Sequence, residues 1–449
     1  MSNRKDYLEE VCREVRFRAA RKYVKQELSA HIDDKKAELE ANGAADAEAD
    51  AIKAMGDPVQ TGRALNAIHR PRVEWGVIAC VVLLSAAGLF TWQFGNTSGP
   101  GSDGTYWFWQ SFASYVKPLV VSLLLMIGIM FVDYAWLAKL RYILFGAGLL
   151  YIAACIILES VDPNGMAYLW YVWGGLFGPT AATVVPPVLF ILGIAGFVNH
   201  HRRWSAGNIA LLLGLCIVSI FALRLMSALY AIWLTVVYCA LGITALASNQ
   251  LNKGRRWLGI IGVVLALSAV LALGLELLNS GYHAVLETTG SSGVQKMLHS
   301  AQLVGPAAVF AKSGSAVLEA SSTGYVLTLA IGAYGWLFGI GVIAIFGGML
   351  ALMFIRSLKT AHLLGRLLSV GISVYFAARL ALFVLMNLGL LEGLSVNLPF
   401  VSFGHFAHFA DILLVGVFLS VWRRSSFMPR DAALDAVPAS EASLAPPIL

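Results

Sequence analysis

The chain is 449 residues long, 58% hydrophobic and 13% charged, with a formal net charge of +6. A mean hydropathy of +0.73 excludes a soluble globular body, because ten long apolar segments would then have to share one core. There is no P-loop and no dinucleotide fingerprint, and the five cysteines form no CxxC pair, so nucleotide, metal and disulfide chemistry are not indicated.

Residues 1–74 differ from the rest, with 14 basic and 14 acidic residues. Tyr7, Val11, Val15 and Phe17 open one amphipathic stretch. Ala20, Tyr23, Val24, Leu28 and Ile32 form a second, with charges on the opposite face. Asn42-Gly43 and Gly56-Asp57-Pro58 are stop signals. The pattern predicts three or four short helices in a small soluble domain, which either packs on itself or the membrane or docks a partner. Arg4, Lys5 and Asp6 lead into charged helix rather than an apolar stretch, so the start is not a signal peptide. Balanced charge gives no basic face, and no nucleic-acid partner is expected.

Ten apolar windows follow, at about 75–96, 113–133, 140–159, 171–198, 206–224, 227–248, 256–278, 325–355, 366–390 and 401–422. Each reaches the ~20 residues needed to cross the hydrocarbon core. The predicted fold class is therefore all-α: a polytopic membrane protein with about ten transmembrane helices. Pro179, Pro186 and Pro187 are read as kinking one helix rather than making two. Lys139, Arg141, Arg202, Arg203, Lys253, Arg255, Arg256, Arg356, Lys359, Arg366, Arg423 and Arg424 fall on one set of loops. The positive-inside rule places that set, and both termini, in the cytoplasm. Residues 425–449, rich in Ala, Pro and Ser, are expected to be a disordered tail.

Two ionisable residues lie deep in predicted spans, Arg379 in the ninth and Asp411 in the tenth. Comparable depth on adjacent antiparallel helices permits an ion pair, which either locks the helices or lines a polar cavity. His405 and His408 share a face near the start of the tenth span. Arg224 ends the fifth span, facing an anionic headgroup or snorkelling to the interface. The longest outer loop, 279–324, holds Tyr282, His283, Glu287, Lys296, His299, Gln302, Lys312 and Glu319. Its hydrophobic run at 294–310 suits a re-entrant segment or a short interfacial helix. A carboxylate is the natural base for activating a sugar hydroxyl; Glu287 and Glu319 are the loop's own, with Glu276 at its edge.

The run Asn387-Leu-Gly-Leu-Leu-Glu-Gly-Leu-Ser-Val-Asn-Leu-Pro399-Phe-Val-Ser402-Phe-Gly404 resembles the motif ending Pro-Phe-Ile-Ser-Tyr-Gly-Gly-Ser of the SEDS family, the bacterial rod-shape, cell-division and sporulation membrane proteins (FtsW/RodA/SpoVE-like). Ser322-Thr-Gly-Tyr-Val-Leu-Thr-Leu-Ala-Ile-Gly-Ala-Tyr-Gly-Trp-Leu-Phe-Gly339 resembles the family's His-Thr-Asp-Phe-Ile-Phe-Ala segment. Asn164-Gly165 and Trp170 echo a Gly-Ala-x-Arg-Trp segment, and the last helix ends in Arg423-Arg424 as in family members. The resemblance spans about 75–424. Residues 1–74, ending near Met-Gly-Asp-Pro, resemble a small domain that precedes some membrane proteins of Gram-positive bacteria.

The resemblance implies a multi-pass bacterial plasma-membrane protein of peptidoglycan synthesis, cell shape or division. Family members polymerise lipid II at the outer face and pair with a class B penicillin-binding transpeptidase. Their essential aspartate falls at Gly324 here, and their Gln-Pro-Ser-Glu motif reads Gly178-Pro-Thr-Ala181. His405-Phe406 replace Gly-Ser. Three readings stay open: a non-catalytic scaffold or regulator that binds lipid II, an active divergent glycosyltransferase, and a lipid or ion transporter. If the chain is active, Glu319 and Glu287 are the catalytic candidates. Lys117, Arg224, Lys296 and Lys312 are then the candidates to bind the diphosphate of lipid II or another undecaprenyl-linked saccharide. Arg379, Asp411, Pro399, Ser402, Gly404 and His405 line a cavity or hold the structure. A divalent cation, Mg²⁺ or Mn²⁺, is the family expectation, but no ligand cluster for it stands out.

Overall fold

In the computed structural model the described residues are 3–44, 46–68, 70–95, 104–161, 179–200, 206–226, 228–247, 262, 290–313, 324–390, 396–402 and 405–425. Two compact units divide the chain: Met1–Val73 with Thr360–His362 and Trp422–Leu449, and Glu74–Lys359 with Leu363–Val421.

The first unit is built on α1 (Arg4–Glu14), α2 (Arg18–Ala41), α3 (Ala47–Ala54) and α4 (Pro58–Ile68). Tyr7, Val11, Val15, Ala20, Val24, Leu28 and Ile32 lie in its buried core with Leu8, whereas Phe17 and Tyr23 of the same apolar pattern are only half-buried. Gly56 turns the chain at φ +81°. The Asp57 carboxylate then caps α4, accepting from Gln60 N at 2.9 Å, with Pro58 at the first helical position. At Gly62 a Cβ would sit 2.7 Å from the Cβ of Glu14, so only glycine lets α1 and α4 approach this closely.

The second unit carries the apolar helices α5 (Trp75–Gly95), α6 (Gly104–Phe131), α7 (Ala135–Lys139), α8 (Arg141–Val161), α9 (Pro179–His200), α10 (Ala206–Met226) and α11 (Ala228–Ala247). They are followed by α12 (Gly290–Ser300), α13 (Ala308–Ser313), α14 (Val326–Tyr334), α15 (Trp336–Lys359), α16 (Leu363–Asn387) and α17 (His405–Arg424). Among the described residues, Gly207–Leu225, Tyr230–Ala247, Trp336–Lys359 and Leu363–Asn387 are long and apolar enough to cross a membrane. Shorter apolar stretches lie at Trp75–Thr91, Val116–Phe131, Arg141–Ile157 and Val184–His200. The chain is an all-α polytopic membrane protein. Leu124, Ile143, Leu150 and Phe221 point outward, as side chains do when lipid is the solvent. Ser122, Ser219, Thr235 and Ser373 turn their hydroxyls back onto carbonyls of their own helices.

The predicted span 325–355 is corrected by the structure, which breaks it at Gly335 into α14 and α15. Gly335 adopts φ +96°, and a Cβ there would lie 2.7 Å from Leu303 O. Segment 301–307 fills the break. Trp336 N donates to Gln302 O at 3.0 Å and Leu337 N to Leu303 O at 3.1 Å. From the other side Gly305 N donates to Tyr334 O at 3.0 Å and Ala307 N to Gly332 O at 2.7 Å. Orphan groups at the end of α14 and the start of α15 are thus satisfied by backbone, the condition for irregular chain at membrane depth. The 294–310 run forms most of α12, the pinned segment and part of α13.

Pro186 and Pro187 lie inside the one helix α9, which begins at Pro179. Helix α6 starts at Gly104, nine residues before its predicted boundary, and runs through Pro118. Apart from Gly262, the seventh predicted span, 256–278, lies outside the described residues, as do 171–178 and the tail from 426. At the head of α5, Glu74 pairs with Arg356 of α15, Nε–Oε2 2.7 Å.

Candidate functional site

The slot read from the resemblance is held by a buried amide. Gly324 leads into α14, and Asn387 is the last residue of α16. Asn387 Nδ2 donates to Gly324 O at 3.0 Å and to Phe383 O at 3.0 Å. Its Oδ1 accepts from Thr328 N at 3.0 Å. The Thr328 hydroxyl reaches both Oδ1, at 3.0 Å, and the main-chain oxygen of Asn387, at 2.9 Å. Both side chains are fully buried, so each of these groups needs its partner. Gly324 presents no carboxylate; a Cβ there would meet Met386 Cε at 3.5 Å and Val396 O at 4.0 Å, ordinary contact distances for one added carbon.

A second buried cluster lies along α16 and α17. Arg379 Nη1 pairs with Asp411 Oδ1, both being about 1% exposed. The guanidinium also donates to Tyr375 Oη at 3.2 Å and to Asn397 O at 2.9 Å. Its carbon lies 5.5 Å from the Tyr375 ring centroid and 6.0 Å from that of Trp233 on α11. A charge this deep persists only when paired and hydrogen-bonded. The Asn397 contact ties the pair to segment 396–402, a tight turn. Val401 N and Ser402 N donate to Leu398 O at 3.3 and 2.9 Å, while Ser402 Oγ accepts from Leu398 N at 2.9 Å. Pro399 and a left-handed Phe400, φ 69°, occupy the centre of the turn, the type II pattern. The left-handed region costs a side-chain-bearing residue about 1–2 kcal/mol. The Phe400 ring is 1% exposed and packs 6.2 Å from Phe346, 5.7 Å from Phe376 and 6.0 Å from His408, centroid to centroid.

An open groove of about 490 Å³ lies on α12 and α13, lined by Gln295, Lys296, His299, Ser300 and Val309. Lys117, exposed on α6, and Arg224, half-buried near the end of α10, are not among its lining residues. Lys312 lies on α13 and His405 opens α17, but their side chains are outside the described set; Glu287, Glu319 and Gly404 lie wholly outside it. Among the described residues no group of three His, Cys, Asp or Glu converges, and Gly324 offers no side-chain oxygen. The described residues therefore do not fit a Mg²⁺ or Mn²⁺ site. Sequence reasoning passed over Thr328, Asn387, Asn397, Tyr375 and Trp233 as site residues. The available signal was an Asn at the end of an apolar run, where an unpaired amide is unfavourable.

No family model matches the chain, and no curated protein does. Among solved structures, the rod shape determining protein RodA of Thermus thermophilus is similar at 18% identity and TM-score 0.52, over 78% of this chain and 97% of that one. An aspartate-to-alanine mutant of RodA gives the same values. A chain from a peptidoglycan synthase complex, solved to show how polymerization and crosslinking are coordinated, is similar at 19% identity and TM-score 0.54. That match covers 79% of this chain and 98% of the other. At such identities the likeness is one of fold, and the fold of this chain is the polytopic helical fold seen in RodA.

Proposed function

We propose that this is a SEDS-type protein of bacterial peptidoglycan synthesis, serving cell shape or division as a non-catalytic scaffold or regulator that binds lipid II. The observation that carries this reading is the slot at Gly324. Its backbone is clasped by Asn387 as a built feature of the fold, yet the position has no group able to take a proton. Loss of an essential general base removes about two to four orders of magnitude of rate. The fold likeness to RodA and to a chain of a peptidoglycan synthase complex supports the membrane domain and makes a class B penicillin-binding protein the natural partner. In this reading the lipid-linked saccharide lies on the face that carries α12 and α13, and both termini are cytoplasmic.

The test is polymerisation of labelled lipid II by the purified full-length protein in nanodiscs, with and without Mg²⁺ or Mn²⁺, and with Gly324→Asp beside it. The expected result is no polymer from the natural sequence, together with lipid II binding and a captured transpeptidase. Polymer from the unmodified protein would overturn the reading in favour of an active glycosyltransferase, and Glu319→Gln would be the next variant.

A further inference from the structure

The pinned segment 301–307 has a membrane depth that can be read from α15. That helix has 24 residues, about 36 Å at 1.5 Å per residue, a little more than the ~30 Å hydrocarbon core. Arg356 and Lys359 mark one boundary, so Trp336 and Leu337 stand at the other. Because Leu337 N donates to Leu303 O at 3.1 Å, Leu303 and Val304 share that level. Both are apolar and 69% and 65% exposed, beside Leu337 at 61% and Ile340 at 54%. Fixed by four backbone hydrogen bonds, they continue the lipid-facing surface of α15 up to the interface.

Helix α12 precedes this segment and divides into two faces. Val294 and Met297 are buried, and a Cβ on Gly332 of α14 would lie 2.6 Å from Met297 Sδ. Lys296 and His299, one turn apart and exposed, stand with Gln295, Ser300 and Val309 around the 490 Å³ groove. The juxtaposition is a groove of largely apolar lining that carries Lys296 and His299 at its edge and, a few residues along the chain, an exposed apolar step at the membrane boundary. We propose that this groove binds the headgroup of an anionic glycerophospholipid, its phosphate meeting Lys296 and His299 and its acyl chain lying against Leu303 and Val304. The site does not depend on the peptidoglycan reading; it would fix α12 and α13 at the membrane surface whatever reaction or partner they serve.

The experiment is native mass spectrometry of the delipidated full-length protein, titrated with phosphatidylglycerol, phosphatidylcholine or soluble glycerol 3-phosphate. The natural chain should retain phosphatidylglycerol most tightly. Lys296→Gln with His299→Gln should weaken that retention at least about fivefold, since one cation near an anionic lipid contributes about 1 kcal/mol. Lys296→Arg should keep it, and Leu303→Gln with Val304→Gln should weaken it. Equal retention by the Lys296/His299 double variant would overturn the proposal. Glycerol 3-phosphate binding as tightly as the lipid would do so too, reassigning the groove to a free phosphate. Both changed pairs are exposed, so folding, checked by melting temperature, stays separate from binding.

Discussion

Thr328 and Asn387, 59 residues apart in sequence, are joined by a main-chain and a side-chain hydrogen bond to the same amide oxygen, each 3.0 Å long. The other end of that amide holds Gly324. One side chain therefore closes both the approach to α14 and the end of α16.

Asn387→Ala is expected to destabilise the protein by about 2–3 kcal/mol, because buried groups on Gly324 and Thr328 lose their partners together. Asn387→Asp should recover little, since a carboxylate cannot donate to the Gly324 and Phe383 carbonyls. Thermal unfolding in detergent, followed by intrinsic fluorescence, measures this; an unchanged midpoint for Asn387→Ala would refute the clasp.

Arg379→Met should be the more damaging single change, about 3–5 kcal/mol, because it strands a buried carboxylate. Arg379→Met combined with Asp411→Leu should recover most of that loss if the pair locks α16 to α17. A double-mutant cycle on unfolding midpoints gives the coupling directly. Additive losses would show that the two residues act independently.

At Gly335 any side chain meets a left-handed backbone and the Leu303 carbonyl. Gly335→Ala is expected to release segment 301–307 from the helix break. Limited proteolysis should then cut within 301–307 at least tenfold faster, with the rest of the chain intact. Cleavage at the natural rate would mean that the four backbone bonds do not depend on that glycine.

In the first unit, burial pushes the Cys12 thiol above its ordinary range, with Lys25 and Arg21 opposing the shift. A raised thiol pKa means less thiolate at neutral pH, hence slower alkylation. With the other four cysteines replaced by alanine, Cys12 should react more slowly with iodoacetamide at pH 7.5 than a free cysteine does. Its rate should keep rising with pH beyond the point where the free thiol levels off. Alkylation at the free-cysteine rate at neutral pH would contradict the burial seen around Cys12.

The apolar windows and the N-terminal amphipathic pattern were legible because each is a local periodicity: Val11, Val24 and Ile32 report their own burial. That Arg379 and Asp411 are able to meet was legible from depth alone. The break at Gly335 was hidden, since a glycine in an apolar run is ordinary and the chain that fills the gap lies some thirty residues earlier. Phe400 was hidden for a different reason. Its backbone is held by Pro399, Ser402 and three aromatic neighbours, and none of those contacts leaves a trace in the identity of a phenylalanine. The clasp at Asn387 depends on a carbonyl and an amide far away in sequence, and the amino-acid types name neither.

The pairing of Glu74 with Arg356 bears on biogenesis. These residues are 282 apart, so at about 5–20 residues per second the ribosome needs roughly 15–55 s to deliver the partner of the first transmembrane helix. Throughout that interval α5 has entered the bilayer without the helix it will pack on, and Tyr334, which reaches Phe90 O at 3.1 Å, arrives only slightly sooner. The first helix to be inserted is thus among the last to be secured. A chain truncated before Arg356 should leave α5 open to capture by insertases or quality-control proteases, whereas the complete chain closes that window itself.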